Sequence, residues 1–336
     1  MNSMNGLLLV DKPVGLTSHD VIYRMRRLLG VRQIGHAGTL DPLASGLLIL
    51  LIGEATKLSD YLLNGDKAYE VKVRLGIHTD SMDITGQRLF VGPCSPGAEP
   101  VSEDEAETLK TNPREVVGAT MVGVQKALES LAGELNLEVP LHSAVKVSGK
   151  KLYEYAHRGE SPEHAIPKRK MNFYDVELLD FNNPFVKVGL RCSKGSFVRS
   201  WAHQMGEIMN CGGVVEELRR TVSAPWRLAG ALTWSELEKR WSERKEATGD
   251  AFGAAWVPLA ESLPHFYPLH IHGRDETFMR NGQISQNLQV RLLASFKIGE
   301  KPPPIRVISQ ETGDLIAILL ADDGEFYRIK RVFKAT

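Results

Sequence analysis

The sequence predicts an α+β protein that ends in a small all-β segment, and three patterns carry that expectation. Leu47 to Ile52 is a continuous apolar run closed by Gly53, which reads as a strand buried in a core. Lys67 to Leu75 alternates, with Tyr69, Val71, Val73 and Leu75 on one side and Glu70, Lys72 and Arg74 on the other, the two-residue period of a half-buried strand. From about His265 the texture changes: short runs such as Ile305-Arg306-Val307 and Leu315 to Leu320 are split by Gly313 and Asp322-Asp323-Gly324, a pattern of short strands and turns.

The remaining elements follow in order. Leu7 to Val10 reads as a strand. Ser18 is placed as the N-cap of a helix over His19 to Leu29 that Gly30 closes, with Val21, Ile22, Met25, Leu28 and Leu29 as its apolar stripe. A short helix is expected over Thr56 to Leu63. Val91 to about Arg114, rich in Gly and Pro and then acidic, reads as a mobile surface insertion. Helices are expected over Val122 to Leu131, Val198 to Met209 and Leu232 to Trp241, strands over Phe173 to Leu179 and Phe185 to Cys192, and a linker over Lys245 to Gly253.

At 336 residues the chain is long enough for roughly two domains of about 150 residues each. Its 43% hydrophobic and 24% charged content is that of an ordinary globular protein. No apolar run approaches the ~20 residues that span a bilayer, and Met1 to Gly6 lacks the positive start of a secretory leader. Three cysteines, Cys94, Cys192 and Cys211, without metal-ligand spacing point to a reducing cytoplasm rather than a disulfide scaffold. Lys plus Arg equal Asp plus Glu at 41 each, so a nucleic-acid partner would need a local basic face. Basic clusters exist at Arg24-Arg26-Arg27-Arg32, Lys146-Lys150-Lys151, Lys168-Arg169-Lys170, Arg219-Arg220 and Arg328-Lys330-Arg331-Lys334.

The stretch with most chemistry is Gly35-His36-Ala37-Gly38-Thr39-Leu40-Asp41-Pro42-Leu43-Ala44-Ser45-Gly46. It sets a His and an Asp five residues apart on a Gly-punctuated loop directly before the apolar strand, so Asp41 lies at the lip of a core. Pro42 biases it toward extended backbone. The wording resembles the catalytic loop of the bacterial tRNA pseudouridine-55 synthase family (TruB type). Further blocks resemble that family in order: Gly6 to Pro13 with Gly15 and Ser18; Gly53 to Lys57; Lys67-Ala68-Tyr69-Glu70-Val71; Gly76, Thr79, Asp80, Asp83 and Gly86; Ser143 to Lys146; Gly149 to Ala156; Ser193 to Ser200; and Leu218-Arg219-Arg220.

The resemblance implies a pseudouridine synthase fold, a mixed and mainly antiparallel sheet with flanking helices and a central cleft. A catalytic domain over 1–250, with the insertion at 91–114, would be followed by a small RNA-binding β domain (PUA-like) over 262–336. It implies isomerisation of uridine to pseudouridine at position 55 in the T-loop of tRNA, by base flipping and a catalytic Asp. That reaction needs no cofactor and no metal. Asp41 takes the place of the catalytic Asp, Arg199 of the Arg that pairs with it, and Tyr69 of the ring that stacks on the target base. His36 corresponds to the residue that enters the RNA loop as the nucleotide leaves, and Leu218 to an apolar contact to the base. Phe197 stands where the family often has Tyr, so the ring is kept and the hydroxyl lost. Physical chemistry agrees with these types: an Arg keeps a desolvated carboxylate ionised, an aromatic face holds a base, and a base must leave its stack before it can react. Lys12 and Lys57 are expected to support loops and contact phosphate. Asp80 and Asp83 alone are too few for a metal site. Two departures stand out, Leu137 in a Gln place and His142 in an aromatic place. The expected partner is tRNA, with no membrane and no obligate protein partner, for a cytoplasmic monomer.

Overall fold

The computed structural model describes residues 4–87, 89–92, 99–158, 166–295, 302–321 and 326–334. Cys94 and the turn at 322–324 lie outside them. Along the chain, β1 (Gly6–Lys12), α1 (Ser18–Leu29), β2 (Ile34–Ala37) and β3 (Ser45–Ile52) lead into α2 (Ser59–Leu62). Next come β4 (Lys67–Leu75), β5 (Ile77–Thr79), β6 (Leu89–Val91), α3 (Glu103–Thr111) and α4 (Met121–Ser130). The middle continues with β7 (Gly133–Glu138), β8 (Lys146–Val147), β9 (Lys150–Lys151), α5 (Leu152–Arg158), β10 (Lys168–Asn182) and β11 (Phe185–Cys192). Then follow α6 (Val198–Ile208), β12 (Gly213–Ser223), β13 (Trp226–Arg227), α7 (Trp234–Ser242) and β14 (Trp256–Pro258). The chain closes with β15 (Tyr267–Ile271), α8 (Gly273–Arg280), α9 (Gln286–Ser295), β16 (Ile305–Ser309), β17 (Leu315–Ala321) and β18 (Tyr327–Val332). No helix among the described residues is long and apolar enough to cross a membrane.

Two compact units result: Met1–Pro42, Gly46–Asn64 and Pro225–Thr336 form the first, Leu43–Ser45 and Gly65–Ala224 the second. In the first, β1 pairs antiparallel with both β14 and β3, and β3 takes β2 on its other side, so that Leu50 stands between Leu8 and His36. Strands on both edges and apolar neighbours on both faces explain why β3 reads as an unbroken apolar run; Leu47 to Ile52 are all buried.

The helix after β1 begins one residue earlier than the sequence suggests. Thr17, not Ser18, is its N-cap, in a capping box with Asp20, and Gly30 at φ 68° ends it. The C-terminal sheet runs β15-β16-β17-β18, parallel between β15 and β16 and antiparallel after that. Two helices that the all-β texture hid pack on it: Met279 of α8 and Leu288 and Leu292 of α9 join Ile305, Val307, Ile316 and Leu319 in one core. In α8 only Phe278 and Met279 are apolar, and in α9 Leu288, Val290 and Leu292 alternate as they would in a strand, so neither segment shows a clear helical period. The expected linker is also packed, since Phe252 is buried and stacks on Trp241 with ring centroids 5.6 Å apart.

In the second unit β12, β4, β11, β10 and β7 follow one another side by side, all antiparallel. Helix α6 crosses next to the start of β12, where a Cβ on Gly206 would overlap the backbone of Gly212 and Gly213. Trp201 of α6 is fully buried and donates from Nε1 to the Leu131 carbonyl at 3.1 Å. In the acidic stretch read as mobile, 93–98 lie outside the described residues, but α3 is a capped helix. Ser102 Oγ accepts from the Glu105 amide, and Ala106 and Leu109 pack with Ile77, Leu89 and Val214. Its acids are therefore the outer face of a packed helix. Arg74 holds its far end: the guanidinium is buried, donates to the Leu109 and Lys110 carbonyls and lies 3.6 Å from Glu216.

Candidate active site

In the first unit the Asp41 loop is fixed on both sides of the carboxylate. Just before it, the Leu40 amide donates to Ser18 Oγ at 2.9 Å and that hydroxyl contacts the Leu40 carbonyl at 3.2 Å, all buried. Just after it, the Pro42 carbonyl accepts from the Gly15 amide at 2.8 Å. The turn that carries Gly15 is itself closed by Lys12, whose buried Nζ donates to the Pro13 carbonyl at 2.9 Å and the Leu16 carbonyl at 2.7 Å. Ser18 is thus freed from capping to anchor a second segment, and Lys12 performs the loop support expected of it. The Asp41 side chain is half-buried.

His36 is not on the loop but on β2, half-buried, with its ring edge-on to His19 at 6.2 Å between centroids. Lys57, expected to support a loop and touch phosphate, pairs with Glu54 at 2.5 Å and donates to the Val332 carbonyl at 3.2 Å. It fastens β18 to the turn after β3.

In the second unit the register places Tyr69 between Leu190 on β11 and Arg220 on β12, with Val71 opposite Leu218. Directly opposed residues of an antiparallel pair share a face, so Tyr69 and Leu218 line the same side of the sheet. Tyr69 is half-buried and Leu218 buried. Phe197 is the N-cap residue of α6, its amide directed at Met171 Sδ at 3.4 Å.

Arg199, in the first turn of that helix, is 5% exposed. Its guanidinium donates to the Ser81 and His142 carbonyls, both at 3.1 Å, and lies 3.6 Å from Asp83 Oδ2. Asp83 is buried too, and its Oδ1 accepts from Ser81 Oγ at 3.0 Å, the Thr85 amide at 3.0 Å and Thr85 Oγ1 at 2.5 Å. Fixed acceptors on several sides lock the planar fork in one orientation, which Lys could not reproduce.

Asp83 is the residue whose role the sequence reading missed: considered only as a metal ligand, it is a partner for Arg199. Among the described residues no three His, Cys, Asp or Glu side chains gather to hold a metal. His142 takes part through its carbonyl, where its side-chain type matters little, and Leu137 is buried in β7. Two buried cations on the Tyr69 strands were also missed. Lys67 and Arg220 are both buried, and burial followed by the Arg220 charge pushes the Lys67 ammonium below its ordinary value. The sequence signal was a Lys in the first place of an alternating strand.

Comparison with known proteins is consistent along the chain. The family model described as TruB family pseudouridylate synthase, N-terminal domain, matches residues 26–96 and 94–198. That for the tRNA pseudouridylate synthase B C-terminal domain matches 199–263. The tRNA pseudouridine synthase B of Bdellovibrio bacteriovorus is 40% identical over 333 residues, 99% of this chain and 98% of that protein. The protein of the same name from Geobacillus kaustophilus is 35% identical over 287 residues, 84% of this chain and 90% of that one. Among solved structures, a Cbf5-Nop10-Gar1 complex aligns with TM-score 0.63 at 20% identity, covering 98% of this chain and 85% of that one. An archaeal box H/ACA sRNP Nop10-Cbf5 complex aligns with TM-score 0.61 at 18% identity, covering 98% and 86%. Those two show the fold, a pseudouridine synthase sheet of mainly antiparallel strands, as expected from the sequence. With the sequence relatives and family models, they lead to one conclusion: the chain belongs to the TruB family of pseudouridylate synthases.

Proposed function

We propose that this protein isomerises uridine to pseudouridine in tRNA, at position 55 of the T-loop. The observation that carries the reading is the near full-length identity to proteins named tRNA pseudouridine synthase B, with the family's loop wording intact around Asp41. The reaction breaks the bond between C1′ and N1, turns the base, and joins C1′ to C5; the proton lost from C5 is balanced by one gained at N1. The proposal assigns the nucleophile or charge stabiliser to Asp41 and its guanidinium to Arg199. Tyr69 is the stacking platform, Phe197 and Leu218 are apolar contacts to the base, and His36 fills the gap left in the RNA loop. The double anchoring of Leu40 and Pro42 supports the Asp41 assignment, because a reacting group must be held in place before substrate arrives. We further propose that 1–250 carries catalysis, that 262–336 adds RNA contacts, and that the protein acts as a cytoplasmic monomer.

Site-resolved pseudouridine mapping on an unmodified tRNA transcript tests the function. A single new pseudouridine at position 55 is expected. Modification elsewhere with position 55 left as uridine would move the substrate assignment, and no modification of any tRNA would remove it.

A further inference from the structure

Helix α1 turns Ser18, Val21, Ile22 and Met25 inward. On its outer side His19, Tyr23 and Arg27 succeed one another at four-residue spacing, which puts them on one stripe, with Arg24 beside it. Tyr23 is 62% exposed, a large ring presented to solvent rather than to the core. Arg24 lies over the Trp234 ring at 5.9 Å, and Arg26 donates to the Ile34 carbonyl at 2.9 Å at the start of β2. The one acid of the helix, Asp20, is held by the Thr17 amide and hydroxyl at 2.8 and 2.7 Å, and those bonds, with the charges of Arg24 and His19, keep its carboxyl below the ordinary value. Arg24, Arg26, Arg27 and Arg32 are all exposed at this end of the chain. The stripe is continuous with His36, through the edge-on contact with His19.

An exposed aromatic ring flanked by solvent-facing guanidinium groups suits an unpaired nucleic-acid strand, with the ring stacking on a base and the cations meeting phosphates. We infer that the outer face of α1 is a second contact for the RNA, with Tyr23 stacking on an unpaired loop nucleotide other than the one that reacts, and Arg24 and Arg27 neutralising phosphates of the same strand. This rests on the tRNA reading above and adds to it a surface that holds the loop beside the vacated position.

The test uses the full-length protein, a tRNA transcript, and three variants: Tyr23→Ala, Arg27→Gln, and Arg24→Gln with Arg27→Gln. Binding is measured across a salt series, alongside pseudouridine formation and thermal melting. Stacking of this kind contributes on the order of 1–3 kcal/mol per base, so Tyr23→Ala should weaken binding about tenfold or more. For a single strand each lost phosphate contact reduces the salt slope by about 0.7. Arg27→Gln should therefore lower it by that amount and the double variant by about 1.4. Melting should stay at the wild-type value for Tyr23→Ala and Arg27→Gln, because both side chains are exposed; Arg27→Gln also avoids disturbing the Arg24–Trp234 contact. If wild type binds and modifies tRNA while all three variants bind with its affinity and its salt slope, the inference is wrong and the tRNA reading stands. If wild type neither binds nor modifies tRNA, both fall.

Discussion

Replacing Ser18 by Ala should disable the loop that carries Asp41 while leaving α1 intact. The Ser18 hydroxyl engages both the amide and the carbonyl of Leu40, at 2.9 and 3.2 Å, in a buried setting. Its loss leaves two buried backbone groups without that partner. An unsatisfied buried group costs roughly 1–3 kcal/mol; with partial relaxation, about 2 kcal/mol of local stability is a fair expectation for the pair. Since about 1.4 kcal/mol is a factor of ten, exchange of the Leu40 amide with solvent should speed up about 30-fold. Displacement of the neighbouring carboxylate should slow the chemical step about tenfold or more. The assay is hydrogen exchange resolved to the Leu40 peptide, paired with single-turnover pseudouridine formation. Thr17→Ala is the contrast. It removes the capping box of α1, costs about 1 kcal/mol, and should leave Leu40 exchange unchanged. If Ser18→Ala exchanges at Leu40 and reacts at wild-type rates, or if the two variants behave alike, the anchoring argument is refuted.

Three further outcomes follow from the packing. Asp83→Asn removes the charge 3.6 Å from Arg199 while keeping an acceptor for Thr85, so activity should drop sharply. Asp83→Ala, which strands the buried guanidinium, should cost about 3 kcal/mol in denaturant unfolding; wild-type values in both would contradict the pairing. Gly206→Ala has no room for a methyl group against Gly212 and Gly213, and should lower the yield of folded protein or its melting temperature by several degrees, whereas Ala202→Gly on the same helix should be far milder. Burial, opposed by Glu207 and reinforced by His78, holds the His203 imidazole below its ordinary value. As pH falls below about 6.5 the unfolded chain takes up that proton first, so stability declines toward the folded value, by at most about 1.4 kcal/mol per pH unit. His203→Gln should flatten the stability curve in that window, and an unchanged slope would assign it to other groups.

The fold was legible wherever one periodicity ruled. The unbroken run of β3, the alternation of β4 and the stripe of α1 each follow from a single burial pattern. It was obscure where a residue serves a partner far along the chain. Ser18 looks like a helix cap because Ser is a good one; that it anchors Leu40 depends on a contact across 22 positions. Arg74 looks like the polar side of a strand until α3 covers it and supplies carbonyls. The same holds for the site. The resemblance to the family pointed to Asp41, Tyr69 and Arg199, but Asp83 acquires its meaning only once Ser81, Thr85 and the first turn of α6 surround it. His36 was placed on a loop because glycines flank it, yet hydrogen bonding to β3 makes that segment a strand.

The central claim is that the Asp41 carboxylate performs the isomerisation. The most direct measurement is single-turnover pseudouridine formation by Asp41→Asn, with tRNA binding recorded on the same sample. The amide keeps the size and most hydrogen bonds of the carboxylate but neither its charge nor its nucleophilicity. Binding within a fewfold of wild type and no detectable pseudouridine are expected. Pseudouridine formed by the variant at a rate near wild type would contradict the central claim.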